Sequence, residues 1–417
     1  MDKLKSLFST YSFILLLVCF STLMSCEELF KGNEEDVLPE SDGKSWYVVL
    51  MEDGFAPLND SIPLESNKDM QTRYDQHQTL IREEIRNYVK SNIQIDAIDD
   101  NLDDVYSSFQ IGFSIYLTEV EALELYDLDG VDTFFVDEDF YIELPLTDFF
   151  IPISFQEVDW GVELVGSGNG VGKTAWVMDT GVDQDHPDLN VSTELSRSMF
   201  RVGTSTDKDD RDGHGTHVAG IIAAKDNLIG TKGVAAGATV VGVKAIDHCD
   251  DGCSRGNYRK WIAALDYIRG CALPGDVLNM SIGREIRTRR RRRIFTNAVQ
   301  RLGNAGIFVV SAAGNSSDDA SNRYPAAVNG TNVYTVSAMD NSQNWAPFSS
   351  FGDVVDYCEP AVAILSTDKD GGYTIKSGTS MAAPHLAGIL LLNNGVVNTI
   401  GTVSGDPDGN PDPIGVL

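Results

Sequence analysis

A serine at the start of an apolar helical stretch is the residue best suited to chemistry in this chain. Ser380 follows Gly378 and Thr379 and precedes the apolar run 386–392. A glycine permits a tight turn, and a helix N-terminus directs backbone N–H groups at a developing negative charge. A serine hydroxyl is a strong nucleophile only when a histidine removes its proton and a carboxylate holds that histidine. The stretch therefore predicts a nucleophile whose two partners lie elsewhere in the chain.

The chain supplies both partners upstream of Ser380. Asp179 follows the apolar run 175–178, so its carboxylate lies at the carboxyl end of a predicted strand. His214 opens a predicted alanine-rich helix, and Asn315 directly follows another apolar strand. Each of these residues alone is common at helix caps and turns. Together they are the parts of an acyl-transfer site with a triad and an oxyanion donor.

This set of motifs resembles the subtilisin-like serine proteases, or subtilases. The matching stretches are Asp-Thr-Gly-Val-Asp (179–183), Gly-His-Gly-Thr-His (213–217), Ala-Ala-Gly-Asn (312–315) and Gly-Thr-Ser-Met-Ala (378–382). Four motifs in this order make a specific match, which covers about residues 155–395. The resemblance implies that Ser380 attacks the scissile carbonyl, that His214 transfers the proton and that Asp179 orients His214. It also implies that Asn315 and the backbone N–H of Ser380 stabilise the oxyanion.

The resemblance further implies where an extended substrate lies. In the family an edge strand pairs with the substrate backbone, and two short segments wall the specificity pocket. The corresponding residues here are Ser281, Ile282, Gly283, Ala312, Ala313 and Gly314. Asp318 and Asp319 could favour basic side chains in that pocket, could bind calcium, or could be solvated loop acids; the solvated interpretation is preferred.

From residue 171 onward, apolar strands alternate with helical patterns. The expected strands are 173–178, 237–246, 276–281, 307–311 and 332–338. The expected helices are 214–224, 256–269, 289–304 and 380–392. Alternation with few hairpins predicts an α/β fold with a doubly wound, mostly parallel sheet and helices on both faces. The turn-rich stretch 405–413 is expected to close the surface.

Residues 44–143 have a different pattern, which predicts a small α+β domain. The expected elements are a strand at 46–50, a helix at 75–90, a strand at 111–117, a helix at 119–126 and a strand at 131–136. The pattern resembles the inhibitory pro-domain of subtilases, which implies an intramolecular inhibitor. Residues 144–155 are then a processing linker and 156–417 the peptidase domain, with cleavage expected between about 144 and 156. A small binding domain that stays attached is the alternative.

The net charge of −30 is unevenly distributed. Residues 27–148 carry 31 of the 62 acidic residues but only seven of the 32 lysines and arginines. The stretch 287–293, by contrast, is arginine-rich, with Arg301 close behind. A nucleic-acid partner is not expected in an exported chain that is acidic overall. Because subtilase pro-segments pack on two surface helices, here 256–269 and 289–304, we hypothesise that these arginines dock the acidic pro-domain; a solvated helix start is the alternative.

The N-terminus predicts a secretion signal. Two lysines precede the apolar run 13–20, which is too short to span a bilayer. Residues 23–26 resemble a bacterial lipoprotein cleavage box, which implies that residues 1–25 are removed and that Cys26 carries lipid. Residues 26–43 are then an acidic tether, and the protein is expected at the cell envelope or surface. Release into the medium after an ordinary signal peptide is the alternative.

Four further cysteines are Cys249, Cys253, Cys271 and Cys358. An even number in an exported chain favours disulfides over a metal site. Cys249 and Cys253 are close enough in sequence to pair, but three connectivities stay open.

The expected partners are polypeptide substrates, the chain's own pro-segment and, through the lipid, a membrane; a monomer is expected. The chemistry requires no cofactor, although structural calcium could bind at sites that the sequence does not locate. One rival function is a tethered binding lipoprotein whose triad is never unmasked. Another uses the same acyl-enzyme for ligation or cyclisation, with an amine rather than water resolving it. Nothing in the sequence excludes water, so hydrolysis is the default.

Overall fold

The computed structural model describes residues 43–52, 66–93, 98–142, 149–150, 153, 155–200, 207–248 and 254–417. The predicted signal peptide, Cys26, nearly all of the tether, most of the processing linker, Cys249 and Cys253 lie outside these ranges. Within them, no helix is both long enough and apolar enough to cross a membrane.

The N-terminal domain, residues 44–142, contains a four-stranded antiparallel sheet in the order β2-β3-β1-β4. Its elements are β1 (Lys44–Met51), α1 (Asn67–Asn92), α2 (Ile98–Asn101), β2 (Leu102–Tyr106), β3 (Gly112–Thr118), α3 (Glu119–Tyr126), β4 (Val131–Val136) and β5 (Asp139–Ile142). All five elements expected from the sequence are present, and α2, β2 and β5 are additional. Helix α1 begins earlier than expected because Ser66 caps it by accepting the N–H of Asp69.

The rest of the chain builds a ten-stranded sheet. Its strands are β8 (Thr174–Asp179), β9 (Asn190–Val191), β10 (Arg197–Ser198), β12 (Thr239–Lys244), β15 (Val277–Met280), β17 (Phe308–Ala312), β19 (Val333–Met339), β20 (Tyr357–Pro360), β23 (Asn398–Thr402) and β24 (Pro413–Val416). The short strands outside it are β6 (Phe149–Phe150), β7 (Gly168–Asn169), β11 (Ala235–Ala236), β13 (Asp247–His248), β14 (Ser254–Asn257), β16 (Arg284–Glu285), β18 (Arg323–Tyr324), β21 (Ile364–Thr367) and β22 (Tyr373–Lys376). The helices are α4 (Trp160–Val165), α5 (His214–Ala223), α6 (Tyr258–Cys271), α7 (Arg289–Asn304) and α8 (Thr379–Leu392).

The sheet runs in the order β10-β12-β8-β15-β17-β19-β20-β24-β23, and only its last pair is antiparallel. Alternate residues of β8 pack on opposite faces: Trp176 and Met178 join the core with α6 and α7, whereas Ala175 and Val177 join the core with α5 and α8. This confirms the predicted doubly wound α/β fold with helices on both faces. The C-terminal tail does more than close the surface, because β24 pairs in parallel with β20.

The N-terminal domain packs on α6 and α7. Val48, Leu50 and Phe135 on one face of its sheet share a buried core with Trp261 and Phe295 of these helices. The opposite face packs against α1 and α3. Since strand side chains alternate between faces, the domain has one face for its own helices and one for the neighbouring domain.

Two short strands, β5 and β6, each pair with a strand of the neighbouring domain. β5 pairs antiparallel with β14, with Asp139 opposite Asn257 and Ile142 opposite Ser254. β6 pairs antiparallel with β22. Residues on both sides of the segment 143–148 are therefore held by backbone pairing.

The arginine-rich stretch contacts the N-terminal domain through backbone oxygens as well as through an ion pair. Arg291 donates to the backbone oxygen of Val136 (2.7 Å) and forms an ion pair with Glu138 (3.1 Å). Arg290 donates to the oxygen of Phe134 (2.5 Å). These arginines thus dock the N-terminal domain as hypothesised, but largely through its backbone.

The principal acid–base pairs of this interface involve helix α6. Arg259 contacts Asp137 (2.9 Å), and Lys260 contacts Asp103 (2.8 Å) and Asp104 (3.1 Å). Lys260 is only 5% exposed and Arg259 13% exposed. Because buried pairs are screened weakly by salt, these contacts are expected to persist at high ionic strength.

Cys271 and Cys358 are free and buried, so the expectation of disulfides is wrong for these two residues. Cys271 ends α6 and Cys358 lies in β20. Both act as small apolar core residues.

Candidate active site

Strand β8 and helix α5 bring the predicted acid and base together. Asp179 is the last residue of β8 and His214 the first of α5, and both are fully buried. The Nδ1 atom of His214 lies 2.7 Å from Oδ1 of Asp179, which also accepts the N–H of Thr180 (2.8 Å). The carboxylate therefore fixes the imidazole with its proton on Nδ1 and leaves Nε2 as the basic nitrogen.

A glycine allows this close approach. At Gly215 a β carbon would collide with the backbone oxygen of Gly181 and crowd the side chain of Asp179. Any larger residue would push α5 away from the end of β8. His214 would then lose its short contact with the carboxylate.

Ser380 is the second residue of α8, and it is only 6% exposed. Its hydroxyl donates to the backbone oxygen of Ser281 (3.0 Å). Nε2 of His214 has no hydrogen-bond partner among the described residues. No hydrogen bond therefore joins the side chains of Ser380 and His214 in this conformation.

A proline in α8 explains the contact between Ser380 and Ser281. Pro384 lacks the N–H that would normally bond to the carbonyl of Ser380 four residues earlier. The hydroxyl of Ser281 donates to that carbonyl instead (2.7 Å) and itself accepts from Asn279 (2.8 Å). Ser281 therefore positions the helix start as well as bordering the cleft.

The side chain of Asn315 is held by its oxygen. Oδ1 accepts the backbone N–H of Thr379 (2.8 Å) and the hydroxyl of Thr379 (2.9 Å). Because a carbonyl oxygen must face these donors, the amide nitrogen points the other way and is available to an oxyanion. Asn315 is exposed, as a group that meets substrate must be.

The two predicted wall segments begin where two neighbouring strands of the sheet end. Residues 281–283 follow β15 and residues 312–314 end and follow β17, and these strands are parallel partners. Ile282, Ala312 and Ala313 are buried, at 3%, 6% and 0% exposed. The structure thus brings both wall segments to the same edge of the sheet, where Ser281 contacts Ser380 and Gly314 contacts Thr379.

An aromatic cluster between the two domains was not found from the sequence. Phe140 of β5 lies over Gly256, with its ring 4.9 Å from Trp261 and 5.3 Å from Tyr258. Arg284 stacks over the same ring at 4.4 Å. The sequence offered only an aromatic residue after the last predicted strand of the N-terminal domain. One residue has no hydrophobic periodicity from which a strand could be predicted.

The two other histidines of the motifs are packing residues. Nε2 of His217 lies 3.1 Å from the oxygen of Ile364, and burial holds its pKa well below the usual range. Nδ1 of His385 lies 2.8 Å from the oxygen of Met381, and burial lowers the pKa of His385 to about 4. Both stay neutral near neutral pH.

The two acids beyond Asn315 have structural partners. Asp318 forms two hydrogen bonds with Arg323 (3.0 and 2.8 Å), which hold its pKa below the usual range. Asp319 caps the 3₁₀ turn Ala320–Asn322. The Asp318 side chain is 46% exposed, so the interpretation of a solvated loop acid holds for it but left out its partner Arg323. Across the described residues, no group of three or more His, Cys, Asp or Glu side chains is placed to hold a metal ion, so calcium stays unlocated.

Activity is expected to fall as pH drops through the pKa of His214. Burial lowers this pKa, but the charge and hydrogen bond of Asp179, with the charge of Asp212, outweigh burial and raise it above 6.5. Only the neutral imidazole accepts a proton, so kcat/KM should rise with pH and reach half its maximum above pH 6.5. Peptide hydrolysis followed from pH 5 to 9 measures this midpoint. Asp212→Asn should move it downward, whereas a wild-type midpoint below 6.5 would contradict the assignment.

Comparison with known proteins places this site in context. Residues 172–399 match the model of the Subtilase family. Proteinase T from Parengyodontium album is 33% identical over 265 residues, which cover 61% of this chain and 84% of that protein. Subtilisin DY from Bacillus licheniformis is 34% identical over 247 residues, which cover 57% of this chain and 84% of that protein. The crystal structure of a cold adapted subtilisin-like serine proteinase has a TM-score of 0.50 and 31% identity, covering 61% of this chain and 96% of that one.

Proposed function

Since the chain belongs to the subtilase family and is a serine endopeptidase, we propose that Asp179, His214 and Ser380 are the triad with which it hydrolyses peptide bonds. The observation that carries this proposal is the buried 2.7 Å contact between Asp179 and His214, at the start of the helix that packs against α8. Ser380 attacks the scissile carbonyl, and His214 accepts its proton and returns it to the leaving amine. Asp179 holds the imidazole and stabilises its charged form.

The oxyanion is stabilised by two donors in this proposal. The Nδ2 hydrogens of Asn315 and the backbone N–H of Ser380 bind the oxygen that becomes negative. The positive end of α8 adds to their effect. Such donors and the triad together provide every proton transfer and charge stabilisation that the hydrolysis requires. The test is cleavage of an unfolded protein by the purified chain at neutral pH; a processed chain that cleaves nothing would refute the proposal.

We also propose that the chain is made as an inactive precursor, in which the N-terminal domain is the inhibitor. The pairing of β5 with β14 and of β6 with β22 supports this, because it holds the chain on both sides of the cleft. The residues that connect these strands, 143–148, lie outside the described part of the chain, and they are proposed here as the segment that is cut. Self-cleavage is therefore expected within 143–148, which overlaps the start of the window of about 144–156 expected from the sequence.

Asp266 should be a principal contributor to binding of the N-terminal domain. This buried carboxylate of α6 accepts from Tyr74 (2.9 Å), Gln78 (3.1 Å) and the backbone N–H groups of Ser107 (2.9 Å) and Ser108 (2.5 Å). Asp266→Ala leaves these buried donors without an acceptor and should weaken inhibition at least about 30-fold. The processed complex is diluted in steps, and the measurement is the protein concentration at which peptide hydrolysis returns.

Asp266→Asn is the matched control. Its amide oxygen can still accept from the two backbone N–H groups, whereas its nitrogen replaces an acceptor with a donor. The Asn variant should therefore lie between wild type and Asp266→Ala. Equal inhibition constants for all three proteins would show that Asp266 does not hold the inhibitor.

For localisation we propose an exported, monomeric protein anchored through lipid on Cys26. The supporting features are the short apolar run 13–20 and the Leu-Met-Ser-Cys sequence at 23–26. Metabolic labelling with a radioactive fatty acid, compared between wild type and Cys26→Ser, tests this. Equal labelling of both proteins would place the lipid on another residue, and no labelling of either would favour a form released into the medium.

A further inference from the structure

Arg323 lies between the two wall segments, 281–283 and 312–314. Its strand, β18, pairs antiparallel with β16, which directly follows the wall 281–283. The backbone oxygen of the next residue, Tyr324, is 3.5 Å from the position that a β carbon on Gly283 would occupy. The segment that begins at Arg323 therefore runs along the first wall.

The side chain of Arg323 also touches the second wall. A β carbon on Gly314 would lie 2.6 Å from Cδ and 3.0 Å from Nε of Arg323. Gly314 has a φ of 117°, which favours glycine, and its lack of a side chain leaves room for the arginine. Arg323, 21% exposed, thus spans the floor between the walls.

Asp318 fixes the plane of the guanidinium. It accepts from Nε and from one terminal nitrogen of Arg323, and it accepts from the hydroxyl of Ser350 (2.7 Å) as well. The backbone N–H of Ser350 in turn donates to the oxygen of Gly314 (2.8 Å). Both oxygens of Asp318 are engaged in orienting Arg323, which makes this acid a positioning residue rather than a receptor for basic side chains.

We infer that Arg323 sets the cleavage preference and that the enzyme cuts after acidic residues, glutamate above all. The inference rests on the peptidase function proposed above and names its substrate class. A planar guanidinium binds a carboxylate through paired N–H groups, and an arginine whose plane is already fixed loses little entropy on doing so. Glutamate is favoured over aspartate because its longer side chain reaches a group at the floor. Lysine is disfavoured because it would bring a second positive charge to that floor.

Two other features agree with this preference. Cationic residues lie on both strands that hold the chain across the cleft, Arg255 on β14 and Lys376 on β22. The segment proposed for self-cleavage, 143–148, reads Glu-Leu-Pro-Leu-Thr-Asp, with an acid at each end and apolar or neutral residues between. Self-cleavage is accordingly expected after Glu143 or Asp148, at the carboxyl side of an acid.

The experiment uses the processed enzyme and fluorogenic peptides whose first three residues are Phe-Tyr-Ile, as in 140–142. The fourth residue, at whose carbonyl cleavage occurs, is Glu, Gln, Leu, Phe or Lys. Glu and Gln have the same shape, so the ratio of their kcat/KM values isolates the charge and is unaffected by the fraction of folded enzyme. For wild type we expect a Glu/Gln ratio of at least about 10, from a hydrogen-bonded charge contact. Arg323→Ala should bring the ratio near one, and Arg323→Lys should retain part of it.

The exposed Arg287 provides a matched control, because Arg287→Ala removes an arginine outside the cleft and should leave the ratio unchanged. A wild-type enzyme that prefers Leu, Phe or Lys, or a ratio that Arg323→Ala does not move, overturns this inference alone. A wild type that cleaves none of the peptides and no unfolded protein overturns the proposed function together with it. Mass analysis supplies the second readout, since a self-cleavage product ending at Leu144, Leu146 or Thr147 contradicts the acidic preference.

Discussion

Replacing Ser380 with alanine should leave the precursor whole and lower peptide hydrolysis by about 10⁶-fold, the scale of losing a nucleophile in a triad. The Ser380 hydroxyl is the only group in the proposed mechanism that forms a bond to the substrate, and no neighbouring hydroxyl can take its place. Ser281, whose backbone oxygen accepts from it, lies on the wall strand rather than at the helix start. Intact mass of wild type and Ser380→Ala after incubation at neutral pH is the measurement. Wild type should release a fragment ending within 143–148, and the variant should not.

Ser377→Ala is the matched control for this experiment. Its hydroxyl accepts the backbone N–H of Ala363 (2.8 Å) and lies three residues from the nucleophile, so the variant should process itself like wild type. Active wild type added to Ser380→Ala should cut it at the same bond, which shows that the variant is folded and cleavable. If wild type itself stays whole and cleaves no unfolded protein, the tethered binding lipoprotein becomes the better interpretation.

The sequence predicted the elements around the candidate site well because their signals are local. Asp179, His214 and Ser380 each end a strand or begin a helix, and such boundaries are visible in hydrophobic patterns. Helix α7 was predicted with its observed bounds for the same reason. The carboxyl edge of a parallel sheet then brings such residues together whatever the loop lengths.

What the sequence did not predict depends on contacts distant along the chain. Strand β5 exists because residues 139–142 pair with 254–257, more than a hundred residues away, and its four residues have no periodicity of their own. The same holds for β24, which follows a turn-rich tail and joins the sheet beside β20. The role of Arg323 was likewise hidden, because only the fold places it against Gly314.

The charge pattern of the interface was predicted in direction but not in detail. An acidic N-terminal domain and a basic stretch at 287–293 suggested exposed ion pairs. The structure instead buries Arg259 and Lys260 against acids, and directs Arg290 and Arg291 mainly to backbone oxygens. Charge counts identify which surfaces meet, but hydrogen-bond geometry decides which residues carry the contact.

Asp179→Asn is expected to lower kcat by about 10⁴-fold while leaving the fold intact. The amide has no charge to stabilise the imidazolium that forms when His214 takes the proton of Ser380. If the amide turns so that its nitrogen faces Nδ1, the imidazole must also place its proton on Nε2, where it cannot accept another. The measurement is kcat for peptide hydrolysis together with thermal unfolding of the same protein.

Stability should not follow activity in this variant. Burial raises the pKa of Asp179, which means that the fold disfavours its charge, and its Oδ2 has no partner among the described residues. Replacing a buried charge by a neutral amide of the same shape should therefore keep or raise the free energy of unfolding. Asp356→Asn is the control, since Asp356 also accepts a backbone N–H, that of Thr335 (2.8 Å), but lies outside the catalytic set, and it should keep full activity. If Asp179→Asn lost activity and stability together, the carboxylate would be needed for the fold. A carboxylate that serves catalysis alone can be neutralised with a loss of kcat and no loss of stability.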